Sequence, residues 1–90
     1  MKLLSRRSLA QLTALQASVT EFAARRSTAL RLFVASRQAA TVYAQREFWM
    51  EFSWHHQEYR IAVQRLARFC LAHQGALERT ARAQQLRESS

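Results

Sequence analysis

Tyr43-Ala44-Gln45-Arg46-Glu47-Phe48-Trp49-Met50-Glu51-Phe52-Ser53-Trp54-His55-His56-Gln57-Glu58-Tyr59 is the stretch on which the fold turns. It holds six of the nine aromatics and both tryptophans, with no proline or glycine to interrupt it. Set on a helix at about 100° per residue, it divides into two apolar stripes. Phe48, Phe52, His55 and Tyr59 share one face, with Trp49 and His56 on its shoulder. Tyr43, Met50, Trp54 and Ile61 recur at seven, four and seven on a different face. Glu47, Glu51 and Glu58 run between the stripes on one side, and Arg46, Gln57 and Arg60 on the other. A surface helix of a small monomer buries one stripe. This helix asks for cover on two, which points to a component of something larger.

Outward from that stretch, composition supports helix throughout. Proline, asparagine and aspartate are absent and glycine occurs once, so the residues that build tight turns are missing. Alanine, leucine, glutamine, arginine and glutamate dominate, and these are good helix formers. No alternating β-branched run marks a strand. The apolar fraction of 49% overstates the core, because sixteen of those residues are alanines. Ninety residues bury only about 60–65% of their unfolded surface, so a lone core is thinly supplied. The expected fold is all-α: two to three helices dominated by one long central helix at about 28–74, bent or hairpin-like, extended across partners and not compactly globular.

The chain reads as one helical unit over 1–90. A first helix begins at Ser5 or Ser8 with a seam of Leu12, Leu15, Val19 and Phe22. Ser18-Val19-Thr20-Glu21 matches a capping box, yet the seam continues through it in phase, so an uninterrupted helix is preferred. Arg26 falls where that seam next needs an apolar residue, and Ser27 and Thr28 follow it, so a bend is expected at Arg25–Thr28. The seam then resumes through Leu30, Val34, Thr41, Ala44 and Phe48. After a one-residue slip it continues as Phe52, His55, Tyr59, Ala62, Leu66, Phe69, His73 and Ala76 in the spacing of a coiled coil. Gly75 takes the C-cap position behind His73, and a tail helix follows at about 76–88.

The formal charge is +8, from thirteen arginines and one lysine against six glutamates. Such a balance favours anionic partners. The arginines run from Arg6 to Arg87 without a dense block, and Glu47, Glu51 and Glu58 sit among the aromatics, both of which weigh against a phosphate backbone there. No run of about 18 apolar residues is present to span a membrane. The first 20 residues contain no acid and interleave arginine and serine with leucine, in the manner of a mitochondrial transit peptide, here expected to be retained uncleaved.

Chemistry-bearing constellations are sparse. Glu51, His55 and Glu58 align on one helix edge, but a bundle metal site draws ligands from several helices, and no second acidic helix exists. Cys70 and His73 form a lone pair short of two zinc ligands, and no orienting group or oxyanion site accompanies Cys70. No metal, cofactor or catalytic role is assigned.

Trp, Tyr and Arg dominate protein–protein hot spots. The expected partner interface is Tyr43, Phe48, Trp49, Met50, Phe52, Trp54, Tyr59 and Ile61, with Arg6, Arg7, Arg25 and Arg26 meeting lipid headgroups or acidic partners. These features describe a non-catalytic accessory subunit of a large mitochondrial assembly, with a respiratory-chain complex or the ATP synthase as host. It would lie on the inner membrane or its matrix side, in peripheral contact with anionic lipid. The alternatives are an RNA-binding protein of an organellar ribosome, with Arg25 and Arg26 as phosphate contacts, and a bacterial helical adaptor or secretion chaperone self-associating through the 48–76 seam.

Overall fold

The computed structural model describes residues 3–39 and 41–89, and among them there are helices and no strands. Helix α1 spans Arg6–Ala39, α2 spans Val42–Ala72 and α3 spans Gln74–Ser89. Helices α1 and α2 form an antiparallel hairpin, and α3 continues from α2 after a one-residue break at His73. The molecule measures 60 × 26 × 16 Å, with a radius of gyration of 19.0 Å. A compact domain of this length has a radius of about 12 Å. The all-helical, hairpin-like and elongated character expected from the sequence is what the chain adopts.

Capping explains where the helices begin. Ser5 Oγ accepts the amide of Ser8 at 3.1 Å, which satisfies one of the first unpaired N–H groups of α1. Thr41, with extended backbone, does the same for α2 by accepting the Ala44 amide at 3.2 Å. Arg37 in the last turn of α1 sits favourably at the negative end of the helix dipole.

The chain folds back between the end of α1 at Ala39 and the start of α2 at Val42, not at Arg25–Thr28. Helix α1 runs unbroken through Arg26, and its inward residues are Val19, Phe22, Arg26, Ala29, Phe33 and Ser36, in unbroken three-four alternation. Arg26 occupies the seam because its guanidinium does not end there. It reaches across to α2 and lies over the Tyr59 ring at 4.1 Å, with Nη1 3.5 Å from His56 Nδ1. The aliphatic stem fills the seam while the charge meets the ring face. Thr28, expected as a cap, instead accepts a hydrogen bond from Arg31 Nη2 within the helix at 3.3 Å. Leu30 and Val34, expected in the seam, are exposed, because α1 presents Ala29 and Phe33.

Replacing Arg26 by Glu removes the ring contact and sets a carboxylate against an aromatic face. The expected result is a loss of about 1–2 kcal/mol. Arg26→Met, which keeps the stem volume, is expected to stay within about 1 kcal/mol of wild type, both read by thermal unfolding.

On α2 and α3 the inward series is Gln45, Phe48, Phe52, His55, Tyr59, Ala62, Leu66, Phe69, His73, Ala76, Thr80 and Ala83, again three-four throughout and without a slip. Residues 52–76 of that series are those the periodicity predicts. The small residues Ala29, Ser36 and Ala62 are buried, and Phe69 is the one large buried side chain of α2, its ring stacked on His73 at 4.2 Å. The N-terminal segment closes the far end: Leu4 is buried and its amide points to Thr80 Oγ1 at 3.4 Å.

His73, not Gly75, ends α2. Its amide donates to the Phe69 carbonyl at 3.0 Å, and its Nδ1 approaches that same oxygen at 3.0 Å. Gly75 lies in the first turn of α3 and has no positive φ. A Cβ placed there meets the flexible end of Arg79, at 3.1 Å from Nη1, and no backbone. Gly75→Ala is therefore expected to stabilise the chain by about 0.5–1 kcal/mol, seen as a rise in Tm of a few degrees.

Candidate interaction surface

A two-helix hairpin has a seam but no interior. The described chain exposes 7390 Å², whereas a compact monomer of this mass exposes about 5,400 Å². The difference lies on the outer faces of the helices, and α2 supplies its most apolar part.

Helix α2 uses its two stripes differently. Phe48, Phe52 and Tyr59 turn toward α1 and are half-buried. Trp49 lies on the flank, and a run of rings links the helices there: Phe33 to Trp49 at 5.2 Å, Trp49 to Phe52 at 5.6 Å and Phe52 to His56 at 5.8 Å. The chain's own α1 thus fills the place that a neighbour was expected to take against Phe48, Phe52 and Tyr59. The sequence carries the signal for this, since Ala29 and Phe33 continue the first seam once Arg26 is accepted as a member.

The second stripe has no such cover. Tyr43 is 74% exposed, Met50 59%, Trp54 68% and Ile61 43%. Trp49, Met50, Ser53, Trp54 and Gln57 together line a shallow depression on this surface. An apolar stripe with two flat aromatic rings, at helix-packing spacing, fits the groove of another helix. Arg46 and Arg60 flank it on one side and Glu47 and Glu51 on the other, all exposed, which gives the approach an orientation.

The four arginines expected to meet anionic partners separate into two pairs. Arg25 is 2.6 Å from Glu21 and lies over Phe22, and Arg26 is held by Tyr59 and His56. Arg6 and Arg7 remain exposed at the start of α1.

His55 stands between Glu51 and Glu58, with ring nitrogens 3.8 Å and 3.5 Å from their carboxylates. The closer nitrogen, Nδ1, is enclosed and its geometry makes no hydrogen bond. Glu51 and His55 border a groove whose other walls are Ala24, Arg25, Thr28, Ala29, Leu32 and Phe48. Among the described residues no group of three or more ligating side chains is arranged to hold a metal ion. Cys70 is a half-buried free thiol. Among the described residues, no helix is long and apolar enough to cross a membrane.

The geometry defines an all-α helical hairpin with an unsatisfied aromatic face. Comparison with known proteins finds no matching family model, no matching curated protein and no matching solved structure.

Proposed function

We propose that this chain is a non-catalytic accessory subunit of a large mitochondrial assembly, with a respiratory-chain complex or the ATP synthase as host. It acts by packing the outer face of α2 against a helix of a neighbouring subunit. The observation that carries this reading is the outward stripe of Tyr43, Met50, Trp54 and Ile61, whose side chains the hairpin leaves open to solvent. Large rings held on a rigid helix lose little conformational freedom on docking, which is why such residues dominate binding energy. The acid-free, arginine- and serine-rich N-terminal region supports the mitochondrial setting.

The α2 part of the 48–76 seam that a self-associating adaptor would use is packed against α1. The test is affinity purification of the tagged chain from native mitochondrial membranes at moderate salt. Co-elution of respiratory-chain or ATP synthase subunits in fixed proportion is expected. Recovery with ribosomal proteins and RNA, or of the chain alone, would sink the reading.

A further inference from the structure

The hairpin gathers charge that the sequence spreads out. The fold-back between α1 and α2 brings the start of α1, the end of α2 and all of α3 to one end of the rod, opposite the turn. Over residues 3–21 and 62–89, which lie side by side, seven arginines stand against three glutamates; over residues 22–61, six stand against three. The open end is positive, and the aromatic stripe occupies the other half.

The same end also exposes leucine. The inward seam keeps its phase through His73, as Leu66, Phe69, His73, Ala76, Thr80 and Ala83 are all buried or half-buried. The opposite face therefore stays in line across the break as well. Along it run Leu71, Glu78, Arg82 and Leu86, at spacings of seven, four and four, with Arg68 on its flank beside the groove against Gln11 and Leu15. Leu71 is 74% and Leu86 72% exposed. Arg68 and Arg82 are exposed, and no carboxylate of the described residues is within ion-pair distance of either.

We infer that this face, carried by the end of α2 and by α3, lies against an anionic phospholipid surface. The leucines enter the boundary between headgroups and acyl chains, and the arginine forks meet lipid phosphates. A nucleic acid is the rival polyanion, and the leucines decide against it. Phosphate-backbone binding uses the charge alone and gives two exposed leucines in the contact face nothing to do. A lipid surface uses both, and attraction to anionic lipid adds arginine by arginine. The inference extends the reading of a membrane-associated subunit, yet it rests on residues remote from Trp54.

The test is co-sedimentation of the full chain with large unilamellar vesicles of phosphatidylcholine and phosphatidylglycerol at 70:30, against pure phosphatidylcholine. Selective binding to the anionic vesicles is expected. Leu71→Ser with Leu86→Ser is expected to weaken it about tenfold, and so is Arg68→Gln with Arg82→Gln. Arg31→Gln with Arg37→Gln removes the same charge from the turn half and is expected to change binding less than threefold. Trp54→Ala is expected to leave vesicle binding intact, so failure of the docking reading and failure of this one are separable. The four substituted residues Arg68, Leu71, Arg82 and Leu86 are exposed, and unchanged far-ultraviolet circular dichroism confirms that the variants fold. Equal loss from the two arginine pairs, no selectivity for anionic vesicles, or indifference to the leucine pair would overturn the inference. Tight binding of a duplex RNA that the leucine pair does not weaken would assign the face to nucleic acid instead.

Discussion

Trp54→Ala is expected to release the chain from the proposed host assembly while leaving the hairpin intact. The indole is 68% exposed and lies between Met50 and Ile61 on a face that no other part of the described chain covers. Its removal takes nothing from the α1–α2 seam, so unfolding free energy should shift by no more than about 0.5 kcal/mol. At an interface, truncating a central tryptophan costs about 2 kcal/mol or more, a fall in affinity of about thirtyfold. Two measurements check this: host subunits co-eluting with the tagged variant, and its thermal unfolding. Phe52→Ala serves as the contrast. Phe52 lies in the seam beside Trp49 and His56, so its loss should lower Tm and disturb docking only through the fold. A variant at Trp54 that melts early but still co-elutes with the host would reverse the assignment of the two faces.

The largest effect on stability is expected at Phe69. The ring is 6% exposed and stacks on His73 at 4.2 Å, close to the break between α2 and α3. Phe→Ala at a buried site costs about 3–5 kcal/mol. A chain of 90 residues has only about 5–13 kcal/mol in total at the usual value per residue. This hairpin encloses few side chains, so it stands toward the lower end. Phe69→Ala should therefore lower Tm by more than about 10 °C and can leave the isolated chain largely unfolded. Leu71→Ala, two residues on and facing solvent, should change Tm by no more than a few degrees. Comparable losses at the two positions would contradict the inward assignment of Phe69.

Arg26 shows how a local rule misleads about a boundary. An arginine in an apolar series reads as the end of that series, because a charge in a seam must be partnered. The partners are Tyr59 and His56, about thirty positions away in the chain, and nothing local to Arg26 announces them. Once that contact is accepted, the α1 seam runs without fault from Ser8 to Ser36, and α2 starts behind Thr41, whose side chain caps it. Gly75 misleads in the opposite sense. Its freedom to adopt positive φ suggests a C-cap, whereas the backbone there stays helical and His73 makes the break.

By itself the sequence determined that the chain is helical, that it is elongated, and which residues of α2 could face inward. Those properties follow from the absence of turn formers and from apolar spacing, both local. Tertiary structure alone decided which of the two stripes between Tyr43 and Ile61 is inside. Carried on in phase past Ser36, the α1 seam leads to Tyr43, Met50, Trp54 and Ile61, and only the turn at Thr41 resets the phase so that Phe48 and Phe52 meet α1. The same turn brings Arg6 and Arg7 to the end of the rod that carries α3. Periodicity specifies a face of a helix, whereas what that face meets depends on where the chain folds back.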